Sequence, residues 1–351
     1  IMKKMLAMLL ALVMILGLAA CASTKPAADA TATSEPSNTG DSASAETSAE
    51  ASDAAPAESG KTYTVGVCQL VQHEALDAAT QGFVDALKEA LGDAVTIDVQ
   101  NASGDSVNCG TIVNGFVAKG VDLIMANATP ALTAAVSATA DIPILGTSIT
   151  AYGVALDIDD FNGTVGGNVS GTSDLADLQK QAQMILDWFP ETKTVGLLFC
   201  SAEPNSRYQI DEVRKALEAQ GVTCEEFAFT DSNDVSSVTQ KAADFSDVVY
   251  IPTDNTAASN TEAIANVLIP AGVPAICGEE GLCRGCGVAT LSISYYDLGV
   301  TTGKMAAKIL KGEANISEMP VEYTDATPKY NASICDQLGI TPLDGYEAIE
   351  G

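Results

Sequence analysis

Beyond Tyr63 the chain alternates short β-branched runs with longer amphipathic ones. Residues 63–70 read as a buried strand. Between Glu74 and Leu91 the apolar positions Leu76, Ala79, Phe83, Leu87 and Leu91 share one helical face. Residues 95–100 alternate with the period of a strand. Residues 107–119 are helical, and Gly120 suits their C-cap. Strand 123–126, helix 131–139 and strand 142–146 complete a βαβαβαβ series, which implies a parallel sheet covered by helices.

The series then starts again. A helix over 175–189 stops at Pro190 and is followed by strand 194–200, helix 206–220, strand 224–230, helix 235–245, strand 248–251, helix 260–268 and strand 274–277. Two loose internal echoes support a duplication: VGVCQLVQHEALDAATQGFVDAL with VGLLFCSAEPNSRYQIDEVRKAL, and LIMANATPAL with VYIPTDNTAAS. Strand 288–294, helix 296–311 and a weaker unit over 319–338 follow. The expected fold is α/β, with two Rossmann-like lobes, each a parallel sheet flanked by helices, joined by a multi-segment hinge. Lobe one takes residues 61–150 and 290–318; lobe two takes 151–289 and 319–345. Ligands of open parallel sheets bind beyond the carboxyl ends of the strands. Two facing lobes therefore line one cleft that shuts by hinge motion.

The first sixty residues have another pattern. Lys3 and Lys4 precede an uncharged apolar run over 5–18, which ends in Leu18-Ala19-Ala20-Cys21. This describes a secretion signal over residues 1–20, too short to favour a spanning helix. Leu-Ala-Ala-Cys is similar to the bacterial lipobox, so Cys21 is the expected lipidation site; an ordinary signal with an incidental cysteine is the alternative. Residues 21–60 hold almost no large apolar side chain and read as a disordered, lipid-anchored tether.

With 46 acidic and 17 basic residues the net charge is −29. That argues against nucleic acid and anionic lipid as partners. Of nine cysteines, Cys277, Cys283 and Cys286 crowd into CGEEGLCRGCG. Three sulfurs and one distant histidine make a poor zinc signature; a Cys283–Cys286 disulfide or free thiols is the simpler expectation. No GxGxxG joins a strand to a helix, and GxxxxGK[ST] and GxSxG are missing. The glycine-rich stretch 163–171 reads as a linker. His73, the single histidine, has no nucleophile in triad order; it is read as a helix cap or a cleft residue. No catalytic residue, metal or cofactor is expected.

Seven segments in order, CQLVQHEALDAATQGFVDAL, TIDVQNASGD, DLIMANATPAL, GTSIT, GNVSGTSDL, YIPTDNT and SISYYDLGVTTGKMAAKILKGE, resemble the tryptophan/tyrosine ABC-transporter substrate-binding proteins. The resemblance runs from about Tyr63 to Leu343. It implies a type I periplasmic binding-protein fold. It further implies an extracytoplasmic lipoprotein that binds an amino acid, with aromatic ones favoured, and feeds the permease of an ABC importer. Sugars, nucleosides, branched-chain amino acids and a receptor-docking sensor role are the alternatives. The cysteine-rich segment and a shortened stretch over 151–160 depart from the family pattern.

An amino-acid ligand needs donors for its carboxylate and acceptors for its ammonium. Thr129, in Asn127-Ala128-Thr129-Pro130, sits where a strand meets a helix, and Thr147 and Ser148 follow the next strand; all three are candidate carboxylate donors, or caps. Asp254 is the first candidate for the ammonium, because an unpaired buried charge is costly, or else an N-cap or Asx-turn carboxylate; Glu279 lies at another strand end. Gln69, Asn205 and Asn255 are polar loop tips, and Tyr295 offers a ring to stack on an aromatic ligand or to pack at the hinge. Asp174 reads most simply as the N-cap of the helix that follows it, though it also sits at the suspected lobe crossing.

Overall fold

The computed structural model describes residues 60–350. The expected signal peptide, Cys21 and nearly all of the tether lie outside them.

The first lobe opens with β1 (Tyr63–Gln69), α1 (Glu74–Leu91), β2 (Val95–Asn101), α2 (Ser106–Lys119), β3 (Leu123–Asn127), α3 (Thr129–Ala138) and β4 (Ile144–Ile149). A single turn, α4 (Tyr152–Ala155), leads to β5 (Val169–Ser173). The second lobe holds α5 (Leu178–Trp188), β6 (Thr194–Cys200), α6 (Pro204–Glu218), β7 (Thr223–Phe229), α7 (Val235–Phe245) and β8 (Val248–Ile251). It continues through α8 (Asn255–Ala258), α9 (Thr261–Ala271), β9 (Ala275–Cys277), α10 (Glu280–Cys286) and β10 (Ala289–Ser292). The chain returns to lobe one for α11 (Tyr295–Leu310) and β11 (Glu322–Tyr323). It ends in lobe two with β12 (Thr327–Tyr330), α12 (Ala332–Leu338) and β13 (Glu347–Ala348).

The first sheet has the order β11-β5-β4-β3-β1-β2 and is parallel throughout; the second runs β13-β12-β10-β9-β8-β6-β7, with β12 antiparallel to β10. Both sheets are covered on both faces, which is why their central strands are continuous apolar runs. Phe83, Met125 and Met305 fill one face of the first sheet; Phe116, Ile124 and Leu132 fill the other. In lobe two Leu197, Tyr250 and Ile276 pack on one face, and Val249, Leu268 and Cys277 on the other.

The lobe boundaries differ from the sequence expectation. Residues 151–173 belong to lobe one, and the chain crosses after Ser173, after Ser292 and after Tyr323. The reason is β5. Its sequence, VSGTS, has one large apolar residue, so it reads as a linker, yet all five residues are buried. Small side chains let it sit tightly under α4. A Cβ on Gly171, whose φ is 144°, would collide with the Gly146 backbone and the Tyr152 hydroxyl. The second crossing comes after β10, which is in the second sheet rather than the first.

Glycines also set the placement of α11. A Cβ on Gly299 would meet the Ala79 carbonyl, and one on Gly82 would meet the Tyr296 carbonyl. Without side chains at these points α1 and α11 approach backbone to backbone. Their N-termini, at His73 and Tyr295, come together at the cleft. All eight described cysteines are unpaired. Cys283 and Cys286 are buried one turn apart on α10, where the Cys286 thiol donates to the Leu282 carbonyl at 3.3 Å.

Candidate functional site

The carboxyl ends of both sheets face a narrow cavity between the lobes. Lobe one supplies His73, Leu76, Ser148, Thr150, Asp174 and Tyr295; lobe two supplies Asn205, Thr253, Asp254, Asn255, Ala258 and Glu279. Three of these are carboxylic acids, and none is a lysine or arginine. The free space inside it is about 10 Å³, room for roughly one water molecule with the lobes this close.

Each polar residue is held by its local structure. Asp174 follows β5 at the first crossing and is buried; its Oδ2 accepts from the Tyr295 hydroxyl at 2.8 Å. Burial pushes its carboxyl above the ordinary carboxylate range, against the lowering effect of that hydrogen bond. Ser148 interrupts the end of β4 with a left-handed φ of 55°, a conformation costly for a residue with a Cβ. On the lobe-two side a single carboxylate organises the rim. Glu203 accepts from the Asn255 amide nitrogen at 3.0 Å and side chain at 2.7 Å, and from the Thr256 amide nitrogen at 2.9 Å and hydroxyl at 2.8 Å. Asn205 donates from Nδ2 to the Thr253 carbonyl at 3.1 Å and to Glu203 at 3.3 Å. Those acceptor-only partners leave its Oδ1 as the free end.

Six of the nine residues expected at the ligand line this cavity: Ser148, Asn205, Asp254, Asn255, Glu279 and Tyr295. Three are placed elsewhere. Gln69 fastens the loop after β1: its Nε2 donates to the Val71 carbonyl at 2.8 Å and to Asp77 at 2.6 Å, and its Oε1 accepts from Thr80 at 2.6 Å. Thr147 is in a buried trio of hydroxyls with Thr172, at 3.2 Å, and Thr302, at 3.2 Å, which ties β4 and β5 to α11. Thr129 is buried in the first turn of α3, whose N-cap is Ala128. The free carboxyl expected of Asp254 is also absent. Both its oxygens serve lobe two, accepting from Ala257 N at 2.8 Å and Cys200 N at 2.6 Å. Glu279 likewise caps α10 through Gly281 N and Leu282 N, at 2.6 and 2.5 Å. Burial pushes Asp254 up to about 8 and Glu279 up to about 7.

Asp174 is the residue that sequence reasoning misassigned. The cap of α5 is Asp177, which accepts from Gln179 N and Lys180 N at 3.1 Å. The helix starts three residues later than its apolar pattern suggests, and Asp174 is released into the cleft. Its position straight after a candidate lobe crossing was the available signal. Leu76, Thr150, Thr253 and Ala258 carry no such signal.

Four buried side-chain atoms on cavity residues bond no protein group: His73 Nδ1, Ser148 Oγ, Asp174 Oδ1 and Asn205 Oδ1. An unsatisfied buried polar atom costs ~1–3 kcal/mol, so their convergence marks a place built for a polar partner. The set offers acceptors from both lobes and one hydroxyl. Around it are the Leu76 and Ala258 side chains and the Tyr295 ring. The lobes already touch across the cleft: His73 Nε2 is 3.2 Å from Asn255 Oδ1, and Arg284 pairs with Glu74 at 3.0 Å in a solvent-exposed position.

Two similar lobes closing on one small polar cavity describe a solute receptor, and the comparisons with known proteins agree. The chain is 33% identical over 276 residues to the tyrosine-binding protein of Clostridioides difficile (strain R20291), covering 77% of this chain and 79% of that protein. A structure of an ABC domain from Streptococcus pneumonia in complex with L-Trp is 33% identical, covers 82% of this chain and 100% of its own, and superposes with a TM-score of 0.78. The ligand-free, open structure of a substrate binding protein with adhesive properties from Clostridium difficile is 34% identical over 82% of this chain and 99% of its own, with a TM-score of 0.63. At matched identity the lobes superpose better on the ligand-bound relative than on the open one, as their contacts across the cleft require. The family described as ABC transporter substrate binding protein matches residues 64–345, and the chain belongs to that family.

Proposed function

We propose that this protein captures an aromatic amino acid in the inter-lobe cavity outside the cytoplasm and passes it to the permease of an ABC importer. The observation that carries the reading is the pair of unpartnered acceptors, Asp174 Oδ1 from lobe one and Asn205 Oδ1 from lobe two. An α-ammonium between them is held by both lobes at once, so binding energy favours the closed form. With no lysine or arginine in the lining, the ligand itself supplies the positive charge. The Ser148 hydroxyl is the side-chain donor for the ligand carboxylate, and Tyr295, Leu76 and Ala258 form an apolar wall for a flat side chain. Relatives that bind tyrosine and L-Trp support the ligand class. Lipidation of Cys21 would keep the domain beside its transporter.

The test is a thermal-shift panel on dialysed protein. Aromatic amino acids should raise the melting temperature as RT ln(1 + [L]/Kd) requires, and aliphatic ones should do so less. No shift with any aromatic amino acid would refute the ligand class. For the anchor, Cys21→Ala should move the protein from the membrane fraction to the soluble one.

A further inference from the structure

The single histidine of the chain, His73, stands at the lobe-one rim with its two ring nitrogens in different surroundings. One faces Asn255 of lobe two at 3.2 Å. The other, Nδ1, is buried on the cavity wall without a protein partner. Which nitrogen carries the proton follows from the far side of Asn255. Its Nδ2 is 2.7 Å from Glu203 Oε2, an oxygen that also accepts from the Asn255 amide nitrogen and the Asn205 side chain. A carboxylate with that many donors accepts only, so the amide end facing it is the NH2 and the end facing His73 is the oxygen. The histidine nitrogen that meets this oxygen must therefore donate. In a neutral ring that leaves Nδ1 as a bare acceptor. Burial holds the imidazole below its ordinary value and favours this neutral form, against the fields of Glu203, Asp77 and Glu74.

We propose that His73 couples ligand recognition to lobe closure, with its Nε2–H holding lobe two through Asn255 while its Nδ1 accepts an N–H from the ligand ammonium. This rests on the amino-acid reading above. His73 Nδ1, Asp174 Oδ1 and Asn205 Oδ1 then provide three acceptors for the three N–H donors of a primary ammonium. An α-hydroxy or des-amino analogue cannot satisfy all three. The ring is fixed for ligand only when Asn255 is in reach, so the third acceptor is completed by closure. Glu203 acts as a positioning residue, since it sets the orientation of the Asn255 amide.

The experiment compares wild type, His73→Ala and His73→Gln in the full chain by titration calorimetry and stopped-flow dissociation. L-tryptophan, L-tyrosine and indole-3-propionate, which lacks the amino group, are the probes. Circular dichroism confirms the fold of each variant. For the aromatic amino acids His73→Ala should bind about tenfold or more weaker, chiefly through faster dissociation. Its preference for L-tryptophan over indole-3-propionate should shrink by a similar factor. His73→Gln, which keeps one donor and one acceptor, should recover part of both. Wild-type binding with an unchanged preference in His73→Ala would overturn this inference alone. If wild type binds no aromatic amino acid, the amino-acid reading fails and this inference falls with it.

Discussion

Asp174→Asn separates a ligand-binding role from a structural one. Asparagine matches aspartate in shape, so its oxygen can still accept from the Tyr295 hydroxyl, which now lies 2.8 Å from Oδ2. Its NH2 then points where Oδ1 is free of protein partners. A donor replaces an acceptor, and a formal charge is removed. A hydrogen bond to a charged group contributes ~1.5–3 kcal/mol. Removing one partner of a buried ion pair costs ~3–5 kcal/mol, because the other charge is stranded. On either scale Kd for L-tryptophan or L-tyrosine should weaken by about tenfold at least, and by roughly several thousandfold at the upper end. The unliganded fold should respond the other way. Burial disfavours the Asp174 carboxylate in the native state, so replacing it with a neutral group leaves stability unchanged or higher. Calorimetric titration and a melting curve without ligand read the two effects separately. A Kd within about threefold of wild type would refute the assignment, since it is smaller than one charged hydrogen bond. A large loss of unliganded stability would move Asp174 from the ligand to the scaffold.

Asp254→Ala strands two buried N–H donors, those of Ala257 and Cys200, so chemical denaturation should show a loss of ~2–4 kcal/mol in unfolding free energy; unchanged stability would contradict its capping role. For Asp254 and Glu279 the folded values, about 8 and about 7, exceed the unfolded ones. The native state therefore holds extra protons, and their contribution to unliganded stability should fall as pH rises from about 4 to about 8. Urea titrations across that window check the sign, which would be reversed if these groups were ionised in the fold. An ammonium arriving beside them favours their charged forms, so ligand binding near pH 7 should release protons, read from calorimetry in buffers of different ionisation enthalpy; proton uptake would exclude it. Gly299→Val should separate α1 from α11 and cost several kcal/mol by overpacking; a melting temperature near wild type would show that this helix pair tolerates separation.

Much of the fold is legible along the chain because local periodicity decides it. The alternation of strand and helix, the apolar faces of α1 and α6, the C-cap at Gly120 and the helix stop before Pro190 follow from residues near in sequence. So does the doubling into two lobes, since its echoes are local patterns repeated. Family membership was legible through the resemblance of seven ordered segments to known proteins rather than through periodicity. β5 was not, because VSGTS is buried through tight packing against α4 and α11 rather than through its own hydrophobicity. The lobe boundary was misplaced with it.

At the site, the sequence indicates which residue types stand at strand ends, and six of the nine named there reach the cavity. It does not show which polar atoms remain free once the fold has used the others. Gln69, Thr147 and Asp254 are as polar as Asp174, but neighbours in their own lobes occupy them. Asp174 meets Tyr295 across 121 residues, and His73 meets Asn255 across 182. The first pair forms only once the chain has left lobe one and returned to it, and the second only once the lobes have closed. Hydrogen-bond capacity belongs to each residue alone, but what is left of it for a ligand is a property of the tertiary structure.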